Sequence, residues 1–402
     1  MNHVEHPPHL TPLLLQSPVR CLLNSLTAEV LTWNLITLHP GTHGLHGGVY
    51  YIHGLARDHT ALHQWTLVLK IVCPAPSAVR VTRTRFRTHA SDSRPTSLFY
   101  WRREALLFES NVLTNLAPTL NAPKCYGVEV VSDDAIWLWL EYIVDTSPPE
   151  WGMSNYALAA NALGVFGGIY LGERPVPSEP WVATDFLRRF AACAAPAVAH
   201  LARASHHPVF GRLYPPAVAT RVAHVWQQRH RLLAALDRLP QTFCHFDAHR
   251  GNLLLQAAPT GTRLIAIDWA TAGAGSIGTD AGMLMGIATQ RTFFTHHACD
   301  ALDTTIFARY VAGLRSVGWQ GDERLVRFGY TTTIALRILI GYLPDDLHNW
   351  LDDSWCASIE AQTGSPIGDF ADQVASPVTW LVARAEEALA LLPTIEHHRA
   401  AS

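Results

Sequence analysis

Residues 245–252 read His-Phe-Asp-Ala-His-Arg-Gly-Asn; the chain then runs LLLQ (253–256), turns at APTGT (258–262) and returns as RLIAIDWA (263–270). Two apolar runs around a Pro/Gly turn predict a β-hairpin. Antiparallel pairing returns the end of the second strand to the start of the first. Asp247, Asn252 and Asp268 are therefore expected to converge although they lie far apart in sequence. Two carboxylates and a carboxamide oxygen form a hard-oxygen donor set that suits Mg²⁺, with water and phosphate oxygens completing the octahedron. A transition-metal hydrolase built on His245, Asp247 and His249 is a competing reading, since imidazole is the commonest ligand of such metals. It leaves Asn252 and Asp268 without a task, and no H-E-x-x-H occurs elsewhere.

The arrangement resembles the catalytic and metal-binding loops of the aminoglycoside phosphotransferase / choline kinase-like family, whose fold is that of the protein kinases. That family's H-x-D-x-H-x-x-N and later I-D-W match at His245, Asp247, His249, Asn252 and Asp268. The resemblance implies that Asp247 is the base for the acceptor hydroxyl and that Asn252 and Asp268 are the metal ligands. It also implies that His245 and His249 shape the loop, and that Asp280, in GSIGTDAGMLMG, is a structural acceptor at a helix start. The likeness runs through residues 30–290 and includes YWRREALLFES, NAPKCYGVE, WLWLE and LGVFGGIYL. Three positions depart from it: Phe246 stands where many members have Gly, Arg250 where many have Pro, and Ala270 where protein kinases end D-F-G.

Upstream, TWNLITL (32–38), VYYIHGL (49–55) and WTLVLKIV (65–72) are short strand-like runs with Gly and Pro between them, predicting an antiparallel meander. Of the 30 basic residues only Lys70 and Lys124 are lysines. Lys70 ends WTLVLK, where the kinase template places the lysine that pairs with nucleotide phosphates and a helix glutamate. A compact ammonium suits a place between two anions better than the broad guanidinium fork. Neither lysine has the G-K-[ST] context of a P-loop. A helix is expected over 97–116, and its Glu104 is the favoured partner for Lys70, with Glu109 as the competitor. Gly44, Gly47 and Gly48 lie in a strand–loop–strand setting suited to covering phosphates, and the following β segment excludes a dinucleotide fingerprint. Glu141 and Ile143, ending WLWLEYIV, fall at the template's adenine-binding hinge.

The expected fold is α+β and protein-kinase-like: a small antiparallel β N-lobe with one helix, then a larger, mainly helical C-lobe. The division expected is a flexible leader at 1–20, a nucleotide-binding N-lobe at 21–144, and a C-lobe at 145–402 carrying the catalytic loop (241–270) and acceptor-binding helices. Helices are predicted over 156–171, 184–202 and 221–239 from their 3.6-residue periodicity. The expected activity is ATP- and Mg²⁺-dependent transfer of the γ-phosphate to a hydroxyl of a small molecule. Eleven residues separate Asp268 from Asp280 and no A-P-E follows, which argues against a peptide acceptor. A non-catalytic nucleotide-binding scaffold remains the alternative from another class. The acidic pairs Asp345/Asp346 and Asp352/Asp353, with His348, Trp350 and Trp355, do not identify the acceptor.

Composition agrees with a packed enzyme. The 402 residues are 49% hydrophobic and 16% charged, with a mean hydropathy of +0.08. This excludes a disordered or fibrous chain. A net charge of −3 gives no field to draw nucleic acid or an anionic membrane. Seven scattered cysteines without a C-x-x-C pair point to a reducing compartment. With no signal-like N-terminus or long apolar stretch, a cytoplasmic protein is expected.

Overall fold

The computed structural model describes residues 8–41, 46–74, 94–98, 100–110, 112–258, 261–290 and 298–397. Its contacts divide the chain into two compact units. The first is Met1–Leu116 with Asn121–Thr146 and Leu254–Ala270; the second is Ala117–Leu120 with Ser147–Leu253 and Thr271–Ser402. The hairpin expected within the C-lobe thus belongs with the first unit. The reason is long-range hydrogen bonding: Thr146 donates from both N and Oγ1 to the Leu255 carbonyl (2.7 and 2.8 Å). The Leu255 amide in turn donates to Asp145 Oδ1 at 3.0 Å.

In the first unit, strands Glu29–His39, His46–Arg57, Leu62–Val72, Ala135–Leu140 and Cys125–Ser132 form an antiparallel sheet in that spatial order. Alternation sorts the central strand Leu62–Val72 into two faces. Leu67 and Leu69 pack with Tyr50, Ile52, Trp65 and Trp139 on one face. Val72 packs with Ile136, Leu138, Leu140, Trp101 and Ala105 on the other. Lys70, opposite Leu138 in register, shares the face of Val72 and of the helix Arg103–Glu109.

Two expectations are corrected here. Residues 12–20, assigned to a loose leader, belong to a helix, Pro12–Leu23, whose Leu15 and Val19 are fully buried in the Tyr50–Trp139 cluster. Pro12 occupies the first turn, where the missing N–H costs nothing, and Thr11 caps it by accepting from the Leu14 amide. The helix expected over 97–116 is confined to Arg103–Glu109. The residues before it turn their carbonyls inward onto the buried Arg103 guanidinium, which donates to Leu98, Ser97 and Ala270. The Ser97 carbonyl also accepts from the Tyr100 amide, closing a tight turn in place of a helical one. The 74–96 excursion lies largely, and Phe99 and the turn residues 259–260 wholly, outside the described residues.

The second unit is helical apart from a two-stranded pair, Gln241–Cys244 with Gly273–Ser276. Helix Met153–Gly172 runs against Cys299–Ser316 at backbone distance: a Cβ on Gly164 would lie 2.1 Å from the Tyr310 carbonyl. The helix expected over 184–202 is two helices, Phe186–Cys193 and Ala195–Ala204. Pro196, which cannot continue a helical ladder, sits in the first turn of the second. Among the described residues no helix is long and apolar enough to cross a membrane, and all seven cysteines are free.

Candidate active site

Within the first unit, Lys70 Nζ lies 2.6 Å from Glu104 Oε2 and 2.9 Å from Asp268 Oδ1. The second Glu104 oxygen accepts from the Trp269 amide at 3.2 Å. Lys70 is 8% exposed and Glu104 1%. Burial pulls the ammonium down, but the charges of Asp268 and Glu104 outweigh it and hold the lysine above its ordinary value. Burial likewise pushes the Glu104 carboxyl up, against the pull of Lys70. Glu104, and not the exposed Glu109, therefore meets Lys70. Asp268 follows the strand Gly261–Ala266 in a left-handed conformation (φ 62°) with its side chain 43% exposed. Its carboxylate is thus half solvent-facing while one oxygen is anchored by Lys70.

The 245–252 motif lies in the second unit and begins directly after the strand Gln241–Cys244. Asp280, at the start of helix Thr279–Gln290, accepts from the His245 amide through Oδ2 and the Phe246 amide through Oδ1, both at 2.9 Å. Thr271 Oγ1 donates to the His245 carbonyl at 3.1 Å. These bonds hold Phe246 at φ 64°, a conformation that favours glycine. The Phe246 ring stacks flat on Phe186 (4.4 Å, 4°) above Gly275, where a Cβ would meet it at 2.7 Å. Phenylalanine at a position where glycine is common is thus accommodated by packing that offsets the backbone strain.

Asn252 Nδ2 donates to Asp247 Oδ2 at 2.9 Å and to the Asp247 carbonyl at 3.1 Å. This fixes the amide so that its oxygen, a hard donor, has no hydrogen bond among the described residues. Both imidazoles engage the backbone: His245 Nδ1 accepts from the Asp247 amide at 3.2 Å, and His249 Nδ1 from the Gly251 amide at 3.0 Å. The remaining nitrogen of His249 therefore carries its proton toward Asp247 Oδ2, 3.6 Å away. Burial works against the Asp247 charge, but His249, with Arg337 and His245, holds its carboxyl well below the usual range.

Burial pushes the Asp280 carboxyl up to about 6, although both amides favour its charged form. Above that pH the carboxylate holds both amides. Below it, a protonated oxygen must turn a donor toward an N–H, so turnover should fall on the acid side of about pH 6. Folding stability runs the opposite way. The folded chain binds this proton more tightly than the unfolded one, so this group's contribution grows as pH falls from about 6 toward the ordinary value near 4. Asp280→Asn, which presents an NH₂ to one amide, should cost about 2–3 kcal/mol in urea unfolding. A variant as stable as the parent would show that the two amide bonds do not anchor the loop.

The other expected residues are less tightly defined. Gly44 lies outside the described residues. Gly48 has φ 131°, and a Cβ there would reach the Tyr50 ring at 2.5 Å from its hydroxyl oxygen; Gly47 accepts from that hydroxyl at 3.4 Å. The Glu141 amide donates to the Lys124 carbonyl at 2.8 Å. Ile143 is buried, and its amide has no hydrogen bond among the described residues. Asp346 accepts from Tyr214 Oη at 2.6 Å, and Asp352 caps a helix through Ser354 and Trp355, so two of the four acidic residues have structural work. Sequence reasoning passed over Arg337, the single charge in FGYTTTIALRILIGYL (328–343). A lone arginine in so apolar a run was the available signal.

Against known proteins, no curated sequence matches, but solved structures do. An aminoglycoside phosphotransferase from Alicyclobacillus acidocaldarius is 11% identical, covers 98% of both chains and gives a TM-score of 0.50. A microcompartment-associated aminopropanol kinase is 15% identical over 91% of this chain and 94% of its own (TM-score 0.45). A choline kinase from Cryptosporidium parvum is 14% identical over 92% and 93% (TM-score 0.46). At such identities the likeness is one of fold, α+β and protein-kinase-like. Residues 56–321, which contain Lys70, Glu104, the 245–252 motif, Asp268 and Asp280, match a phosphotransferase family throughout, and on that match the chain belongs to the phosphotransferase enzyme family.

Proposed function

We propose that the protein is an ATP- and Mg²⁺-dependent kinase that transfers the γ-phosphate to a hydroxyl group of a small molecule. The observation that carries this reading is the buried Lys70, held between Glu104 and the half-exposed Asp268. A structural ion pair needs no third charge, whereas a lysine that must meet phosphates gains from being fixed and kept protonated.

Lys70 then binds the nucleotide phosphates, with Gly44, Gly47 and Gly48 covering them and the Glu141–Ile143 backbone receiving adenine. Asn252 and Asp268, each offering a side-chain oxygen, would hold Mg²⁺. Bound Mg²⁺ would offset the charge gathering on the phosphate oxygens during transfer. Asp247, oriented by Asn252 and His249, accepts the proton as the acceptor oxygen bonds to the γ-phosphorus, the bond to the β-phosphate oxygen breaks and ADP leaves. The catalytic effect asked of these residues is positioning and charge neutralisation. The cytoplasm is the setting proposed, consistent with seven free thiols.

Nothing among the described residues favours the hydrolase reading: no three His, Cys, Asp or Glu side chains gather to share a metal. A non-catalytic scaffold would retain nucleotide binding without turnover. ADP release from Mg·ATP, measured across aminoglycosides, macrolides, choline, amino alcohols, sugars and hydroxy acids, separates these. Acceptor-stimulated release that is lost in Asp268→Ala, together with Mg·ATP affinity, is the expected result. Unchanged affinity and turnover in Asp268→Ala would overturn the metal assignment, and ATP binding without turnover on any acceptor would favour the scaffold.

A further inference from the structure

Arg337 is 6% exposed, and among the described residues no carboxylate lies within ion-pair distance of it. Its guanidinium is collared by aromatic rings instead. Cζ lies 4.0 Å from the Phe190 centroid, 4.6 Å from Tyr342 and 6.0 Å from Phe186. Among the described residues its side chain has one hydrogen bond, a long one from Nη2 to Tyr342 Oη at 3.4 Å, and the buried Nε has no partner. A buried cation normally has a hydrogen-bonded anion, because leaving water is otherwise costly. Rings over its faces compensate part of that cost but offer no acceptor to the buried Nε–H in the plane of the fork.

The local backbone is also unusual. Arg337 lies in a π-helical stretch, Ile334–Ile340, a geometry that recurs at functional sites. Phe186, which flanks Arg337, stacks on Phe246, the residue before Asp247, and all of these belong to the second unit. Arg337 is one of the charges that hold the Asp247 carboxyl below its usual range. Asp346, on the following helix Leu343–Trp350, accepts from Tyr214.

We propose that Arg337 is an oxyanion-binding residue for the acceptor, so that the preferred substrate is a small hydroxylated molecule carrying a carboxylate or phosphate. This rests on the phosphotransferase reading and names its substrate class. The planar fork would take two anion oxygens side by side, which a lysine ammonium reproduces only as a point charge. The aromatic collar would exclude water from the pair, and the Phe186–Phe246 stack would tie Arg337 to the loop that carries Asp247.

The test uses the full chain at constant ionic strength, with melting temperature and calorimetric affinity as readouts and D-glycerate, inorganic phosphate, glycerol and 2-amino-1,3-propanediol as probes. Mg·ATP is run in parallel. The expected result is stabilisation by glycerate and phosphate and none by the neutral or cationic diols. Arg337→Met should weaken the anion response about tenfold or more and Arg337→Lys should restore part of it, with the Mg·ATP response unchanged in all. The amino diol outperforming glycerate, the same anion affinity in Arg337→Met, or no response to either anion would each overturn the proposal. Loss of the Mg·ATP response in the parent chain would instead remove the kinase reading. If Arg337→Met fails to fold, Arg337→Lys alone decides: anion affinity equal to the parent's is the overturning result.

Discussion

Lys70→Ala should lose about 10²–10³ in kcat/KM for Mg·ATP and, in the same variant, about 3–5 kcal/mol of stability. The two losses have different causes and can be separated. Glu104 is 1% exposed, and Lys70 is its ion-pair partner at 2.6 Å. Removing the lysine leaves a buried carboxylate whose remaining hydrogen bond is the Trp269 amide at 3.2 Å. Neutralising that carboxylate should recover most of the stability, so Lys70→Ala/Glu104→Gln should unfold at a urea midpoint well above that of Lys70→Ala. It should remain as inactive, because no cation then faces the phosphates. A Lys70→Ala chain as stable as the parent would contradict the buried pair. Turnover retained in either variant would remove Lys70 from the nucleotide site.

How far the sequence could be read depended on how local each determinant is. Lys70 stood out because the chain otherwise uses arginine, and Glu104 because a short helix follows the central strands. The loop motif was legible because His245, Asp247, His249, Asn252 and Asp280 are held largely by one another and by nearby backbone. The hairpin's membership was not legible, since it is decided by Asp145 and Thr146 meeting Leu255 across more than a hundred residues. The N-terminal helix was obscured by its prolines: Pro12 is tolerated in the first turn, whereas Pro18 lies inside the helix, where proline is usually a breaker. The length of helix Arg103–Glu109 depends on where one buried guanidinium finds its carbonyls. The Arg337 collar is assembled from residues 186, 190 and 342, a long-range juxtaposition that periodicity does not reveal.

Asp247→Asn should lower kcat by about 10²–10⁴ while leaving Mg·ATP affinity close to that of the parent. The parent carboxylate accepts from Asn252 Nδ2 at 2.9 Å and faces the protonated nitrogen of His249. These partners hold its carboxyl below the usual range, so it remains ionised across the working pH. A base so weak takes its proton late, which agrees with a loose phosphoryl-transfer transition state in which the acceptor oxygen needs orientation more than early deprotonation. Both donors meet the same oxygen, Oδ2, so asparagine must either set its NH₂ against the two of them or turn it toward the acceptor hydroxyl. It therefore misplaces the acceptor as well as removing the charge. The pH profile distinguishes this role from that of Asp280: the parent's acid limb should lie near pH 6, where Asp280 protonates. The residual activity of Asp247→Asn should keep that limb, since its cause lies in the loop anchor. An acid limb that disappears with Asp247 would assign it to the base itself, and a kcat equal to the parent's would remove Asp247 from the reaction.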